Sequence, residues 1–342
     1  MSGSERSGIC CSGNWIIDHV KTIDTWPGEE QLSNILDEER ATGGSPTNVS
    51  IDLARFDVGM KVSGLGLVGE DTNGRFVLSE CERFGIDAKL IRATSEAPTA
   101  YTDVMNVRDS GRRTFFHQRG ANALLGPSDY RFEEIDERIL SLGYLLLLDG
   151  LDAEDSEYGT CAARVLAGAR ESGLKTAVDV VSEASDRFRR IVTPALPHID
   201  YLIVNEIEAG NTLEVDLRPG GKLDRDAVER AAAKLVASGV NELVVIHTPE
   251  AAYATRSSGC ESVWSPTLQL PSDFIVGAAG AGDAFFAGML LGIHEEWTLE
   301  TSLRFANGAA ASSLRHPTCS GGVGSAAEIE ELCARFPLRS LS

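Results

Sequence analysis

The stretch Val276-Gly277-Ala278-Ala279-Gly280-Ala281-Gly282-Asp283-Ala284-Phe285-Phe286-Ala287-Gly288 passes from tiny residues straight into an apolar, helix-like run. Three glycines and three alanines fill positions 277–282, and an acid then opens the apolar segment. Backbone without bulky side chains lets a ligand approach closely, and a helix N-terminus presents unpaired N–H groups at the positive end of its dipole. The combination favours an anion, typically a phosphate. Asp283 is the odd residue, because a bound phosphate repels a carboxylate. Its ordinary reading is an N-cap or first-turn acid. Its functional reading is a general base, held where the γ-phosphate of a nucleotide meets an attacking hydroxyl. Phosphoryl transfer needs such a base together with donors for the developing charge.

Outward from that stretch, short apolar runs at 60–68, 144–148, 176–181, 201–204 and 243–247 read as buried strands. Helix-like stretches at 48–56, 75–84, 156–171, 226–238 and 284–293 lie between or beyond them. Strands alternating with helices imply βαβ units and a mainly parallel sheet covered on both faces. Two segments break the rhythm. Residues 98–119 form two strand-like runs about Asp109-Ser110-Gly111, the signature of a β-hairpin. Residues 14–42 lack helical periodicity and carry Pro27-Gly28. Together they suit a small sheet standing off the main body, a lid that keeps water from a transferring phosphoryl group.

The 342 residues give length for one large α/β domain or two smaller ones. A net charge of -20 argues against nucleic acid or an anionic membrane as partner, since both demand basic surface. A nucleotide needs only a local donor-rich pocket. Seven cysteines are scattered without C-x-x-C pairs, which suits reduced thiols in a cytosol. The opening Met1-Ser2-Gly3-Ser4-Glu5-Arg6 is polar, so no signal peptide is expected. No apolar run approaches the ~20 residues of a membrane span. The expectation is a soluble cytoplasmic protein.

Gly280-Ala281-Gly282-Asp283 resembles the G-A-G-D signature of the ribokinase-like (PfkB) family of sugar and nucleoside kinases. Other motifs follow in that family's order over roughly residues 10–335. The resemblance implies a three-layer αβα sandwich with a mainly parallel sheet, plus a small β-sheet lid. It treats 1–342 as a single kinase domain with lid inserts at approximately 18–42 and 98–119. It implies an anion hole from the backbone of Gly280, Ala281 and Gly282, with Asp283 deprotonating the acceptor hydroxyl. It also implies ATP and Mg²⁺, a small sugar or sugar-derivative acceptor, and by analogy a homodimer through the lid.

Gly43-Gly44-Ser45-Pro46-Thr47-Asn48 alone reads as a turn with Thr47 or Asn48 as N-cap. It resembles the family's G-G-x-x-x-N substrate motif, which puts Gly44 and Asn48 on sugar hydroxyls. Asp18 matches the acid at the end of the family's first strand, which typically holds sugar hydroxyls, and a carboxylate suits vicinal diols. Asn205-Glu206-Ile207-Glu208 reads as a capped helix start, and resembles the N-x-x-E motif that organises Mg²⁺ and its waters. Asn307 resembles the helix flanking the adenine, and His247 and Thr248 stand where the nucleotide loop begins. Arg119, where the hairpin returns to the core, is a candidate for an anionic acceptor, beside Arg112 and Arg113.

Gly64-Leu65-Gly66-Leu67-Val68-Gly69 fits the dinucleotide fingerprint, but Glu70-Asp71-Thr72-Asn73-Gly74 follows where a helix should begin. Val68–Gly74 instead resembles the family's V-G-x-D-x-x-G segment. Two departures stand out. Gly277-Ala278-Ala279 replaces the family's D-T-x, which puts monovalent-cation activation in doubt. His247-Thr248-Pro249 replaces T-x-G, and Pro249 lacks a backbone donor. A nucleoside kinase, favoured if Phe115 and Phe116 stack a base, and a catalytically weakened metabolite sensor are the alternatives.

Overall fold

The computed structural model describes residues 6–110, 112–183 and 185–341. Met1–Glu5 and Gly111, read above as part of the polar opening and as part of the hairpin turn, lie outside the described residues. The chain opens with strand β1 (Ile9–Gly13), then the hairpin β2 (Ile16–Ile23) and β3 (Ile35–Gly43). Helix α1 (Ser45–Arg55), β4 (Val62–Gly69), α2 (Thr72–Arg83) and β5 (Asp87–Thr94) follow, then a second hairpin, β6 (Ala100–Val107) and β7 (Arg113–Gln118). The middle holds β8 (Ile139–Leu145), α3 (Asp149–Asp152), the two-residue strands β9 (Glu154–Asp155) and β10 (Gly159–Thr160), α4 (Cys161–Glu171), β11 (Lys175–Val180) and α5 (Phe188–Ala195). Next come β12 (Tyr201–Asn205), α6 (Glu206–Leu213), α7 (Arg225–Ala237) and the strands β13 (Leu243–His247), β14 (Ala251–Arg256) and β15 (Ser262–Pro266). Helices α8 (Ala281–His294), α9 (Leu299–Ser313) and α10 (Ala326–Arg335) close the chain.

A nine-stranded sheet runs in the order β15-β14-β13-β12-β11-β8-β1-β4-β5. Every pairing from β13 through β5 is parallel, and only the β13–β14 and β14–β15 pairings are antiparallel. Alternate residues of one strand enter opposite cores: Val244 and Ile246 join one cluster, Leu243 and Val245 the other. A strand buried on both faces needs apolar residues at consecutive positions, hence the unbroken runs in the sequence. The separate four-stranded sheet, β3-β2-β6-β7, is built from the two segments that broke the βα rhythm.

Element starts differ from the sequence expectation in instructive ways. Helix α1 begins at Ser45, with Gly44 as N-cap and Pro46 in its first turn, so neither Thr47 nor Asn48 caps it. The expected helix at 156–171 begins only at Cys161, because Thr160 caps it by accepting from the Ala163 N–H. The apolar run at 144–148 is the exit of β8 rather than its body. Gly64 and Gly66 lie inside β4, where an added Cβ at Gly64 would sit 2.6 Å from the Trp15 indole. They clear room for a fully buried tryptophan, whose ring N–H donates to the Leu65 carbonyl at 2.9 Å. Among the described residues, no helix is long and apolar enough to cross a membrane.

Candidate active site

Strands β1, β8, β11, β12 and β13 bring their C-terminal ends to one edge of the sheet, where open α/β sheets receive ligands. Helix α8 reaches the same edge. Its N-cap Gly280 has φ +79°, and a side chain there would collide with the Cys319 backbone. Glycine is the residue that takes this conformation and this closeness at no cost. No side chain caps the helix, so the first-turn N–H groups of Ala281, Gly282 and Asp283 lack intrahelical acceptors. Gly288 and Gly292 let α8 lie tightly on Ala306 and Ser302 of α9, which fixes the helix in the core.

Asp283 is only 5% exposed. Its Oδ2 accepts from Asn48 Nδ2 at 2.8 Å, and its Oδ1 accepts from the Tyr144 hydroxyl. Burial pushes the carboxyl up to about 6, against the pull of those two donors. Burial and the Asp283 charge hold the Tyr144 phenol well above its ordinary range, so it remains a donor. Asn48 Oδ1 is buried without a partner, an open acceptor beside the carboxylate.

Asp18, on lid strand β2, faces the same place. Burial first and the Asp283 charge second raise it to about 7, opposed by the Thr102 hydroxyl and the Arg113 guanidinium. Its carboxylate lies against Gly43, where a Cβ would come within 2.6 Å. Gly44 (φ +81°) turns the chain from lid into α1 and thereby aims Asn48 at Asp283. Sequence reasoning missed four groups here. Tyr144 was hidden in an apolar run. Asp52 is fully buried, held well above the carboxylate range by burial and Asp283, with both oxygens unpartnered. It sits one turn after Asn48 on α1, an i, i+4 spacing already contained in the helix-like stretch read at 48–56. Asp179, at the end of β11, is likewise raised by burial and by Glu208 and Asp283. Cys319 is half-buried with its Sγ 4.0 Å from Asp18 Oδ2, its thiol pushed up by desolvation and then by the surrounding carboxylates.

Asn205 and Glu208 form a reciprocal capping box on α6. Asn205 Oδ1 accepts from the Ile207 and Glu208 N–H groups at 2.9 Å, and Glu208 Oε2 accepts from the Asn205 N–H at 2.9 Å. Glu208 Oε1 accepts from the Ser182 hydroxyl and Asn205 Nδ2, both at 2.7 Å. Burial raises Glu208 to about 7. Both oxygens are engaged, a donor set that fits the waters of a hydrated Mg²⁺ better than direct ligation. Among the described residues, no group of three or more His, Cys, Asp or Glu side chains is arranged to hold a metal.

The other candidates are placed less centrally. His247 ends β13 and stacks on Phe285 with ring centroids 4.7 Å apart. Burial holds it down at about 4, a neutral ring beside Gly282. Thr248 Oγ1 donates to the Ala251 carbonyl and accepts from the Glu250 and Ala251 N–H groups, tying the β13–β14 turn. Asn307 Nδ2 spends its donors on Ser265 and the Pro266 carbonyl, joining α9 to β15. Arg119 donates to the Leu146 carbonyl at 2.9 Å and pairs with Asp149 at 3.3 Å. The arginine that reaches the loop between α9 and α10 is Arg113, whose Nη2 donates to the Pro317 carbonyl at 3.3 Å.

A carboxylate with two fixed donors, bare N–H groups beside it and a second carboxylate across a cleft can deprotonate a bound hydroxyl and stabilise an oxyanion. The chain is 27% identical over 299 residues to an ATP-dependent ribose-1-phosphate kinase of Halopiger xanaduensis, covering 87% of this chain and 88% of that protein. It is 25% identical over 309 residues to a 5-dehydro-2-deoxygluconokinase of Clostridium botulinum, covering 88% and 86%. Its fold matches the structure of Arabidopsis thaliana ribokinase complexed with ribose and ATP, with TM-score 0.79 at 20% identity over 97% of this chain and 100% of that one. The family pattern of pfkB carbohydrate kinases spans residues 6–324. With the ribokinase-like fold, the sugar-kinase relatives and that match together, the chain belongs to the pfkB family of carbohydrate kinases and is a phosphotransferase acting on a hydroxyl group.

Proposed function

We propose that this kinase transfers the γ-phosphoryl of ATP to one hydroxyl of a small sugar or sugar derivative, with Asp283 as general base. The observation that carries the proposal is the pairing of a buried, twice hydrogen-bonded carboxylate with uncapped first-turn N–H groups on the same helix. Asp18, Gly44 and Asn48 hold the acceptor, the unpartnered Asn48 Oδ1 accepting a hydrogen bond from one hydroxyl. Tyr144 and Asn48 keep the Asp283 carboxylate in one orientation. The acceptor's proton passes to Asp283 as its oxygen bonds to the γ-phosphorus, while the bond to the β-phosphate oxygen breaks and ADP leaves. The N–H groups of 281–283 stabilise the charge on the transferring group. His247 and Thr248 border the phosphates, and α9 with Asn307 forms the wall of the base pocket. Asn205 and Glu208 would hold Mg²⁺ through its waters, and the ion would screen the triphosphate charge.

The four-stranded sheet acts as lid over this cleft within one kinase unit spanning 1–342. Phe115 favours a second reading, a nucleoside acceptor: it is 61% exposed and, by strand alternation, shares the lid face of Arg113. An ADP-release assay over sugars, sugar acids, sugar phosphates and nucleosides separates the two. Turnover with a sugar derivative supports the proposal, turnover confined to nucleosides replaces it, and binding without any turnover marks a sensor.

A further inference from the structure

Arg113 is the lid's reach into the cleft. It opens β7, and its guanidinium crosses to the loop between α9 and α10, 204 residues away in sequence, where it donates to the Pro317 carbonyl. A Cβ on Gly277 would lie 3.2 Å from its Nη2, so the bare backbone at 277 makes room for it. The same guanidinium is close enough to Asp18 and Cys319 to pull both acids down. Arg119 and Arg108 each have a carboxylate within 4 Å, whereas among the described residues Arg113 forms no ion pair. One carbonyl satisfies one of five guanidinium donors.

The cleft is otherwise acidic, with Asp18, Asp52, Asp179 and Asp283 all raised by burial, and the first three also by the charge of Asp283. A neutral sugar needs no cation there. An acceptor bearing its own phosphate or carboxylate is repelled unless a cation faces it. The geometry points to Arg113 as the specificity-determining residue for an oxyanion on the acceptor, a sugar phosphate or sugar acid, with Asp18 taking the hydroxyls beside it. A forked guanidinium suits either oxyanion. This inference rests on the proposed acceptor site, with Arg113 in the role that the sequence had offered to Arg119.

The test compares wild type, Arg113→Gln and Arg113→Lys with matched acceptors, each sugar phosphate or sugar acid against its neutral parent. ADP release gives kcat and KM, and calorimetry gives acceptor affinity without turnover. The expected result for Arg113→Gln is a rise of about tenfold or more in KM and Kd for anionic acceptors, since a charged hydrogen bond is worth about 1.5–3 kcal/mol. Neutral acceptors and ATP should keep their KM, and Lys should restore part of the loss. Equal losses for anionic and neutral acceptors reduce Arg113 to a lid latch and overturn the inference. A rise in the KM of ATP alone assigns the guanidinium to the γ-phosphate and overturns it too. If no acceptor turns over, the proposed function fails, while anion-dependent binding that is lost in Arg113→Gln still upholds the inference and its absence refutes it.

Discussion

Replacing Asp283 by Asn should cost activity and add stability at the same time. The carboxyl is 5% exposed and raised from 3.8 to about 6 by burial. At ~1.4 kcal/mol per pH unit, the folded chain is penalised by about 3 kcal/mol when this group ionises. The sign follows from the direction of the shift. The folded state holds the proton more tightly than the unfolded one, so the stabilisation is complete below about pH 4 and is lost as pH rises through about 6. An amide carries no charge and escapes that loss. It also fits the site: its oxygen can keep the Tyr144 hydroxyl, and a flipped Asn48 side chain presents its unpartnered Oδ1 to the new NH₂ group. The Asp283→Asn variant should therefore gain about 1–3 kcal/mol over wild type at pH 8 and almost nothing near pH 4. Loss of a general base should lower kcat by about 10²–10⁴-fold, with the KM for ATP nearly unchanged. Thermal unfolding at the two pH values and ADP release at pH 8 measure both arms. Turnover within a few-fold of wild type would refute the base, and lower stability at pH 8 would refute the buried-charge reasoning.

Other outcomes follow from the same geometry. The acid limb of kcat should fall near pH 6, where Asp283 gains its proton, and acceptor KM should improve as Asp18 ionises near pH 7. A flat profile from pH 5 to 8 would contradict both assignments. Gly280→Ala forces a methyl onto the Cys319 backbone at φ +79°, so a loss of about 1–3 kcal/mol and a sharp drop in nucleotide affinity are expected. Wild-type ATP binding in that variant would show that the turn before α8 does not shape the phosphate site. With a net charge of -20, the unfolding temperature should rise as salt goes from about 0.1 to 1 M and the screening length drops from about 10 to 3 Å. A midpoint that falls over that range would mean that favourable ion pairs outweigh self-repulsion.

Much of the sheet was legible because a doubly covered parallel strand has no solvent face, so 201–204 and 243–247 appear as unbroken apolar runs. The lid was legible by exception, as alternating residues where βα units should stand. Local motifs also marked Asp283 and Asn48, each following a glycine-rich stretch, whereas Asp18 came from the family resemblance alone and lies inside lid strand β2 rather than at a strand's end. What escaped was convergence. Tyr144, Asp179 and Cys319 come from three distant segments, and no spacing along the chain announces that they surround Asp283. Arg113 and Arg119 share a strand parity, so alternation alone does not choose between them. The difference arises because β7 ends at Gln118 and the chain then turns Arg119 toward Leu146.

A crystal structure with a non-hydrolysable ATP analogue and a turned-over acceptor tests the placement of the reaction most directly. The expected density puts the terminal phosphorus at the uncapped N-terminus of α8, within hydrogen-bond reach of the 281–283 N–H groups, and one acceptor hydroxyl against the Asp283 carboxylate. A terminal phosphate lying elsewhere, or an acceptor whose hydroxyls all face away from Asp283, would contradict the assignment of that helix as the catalytic centre.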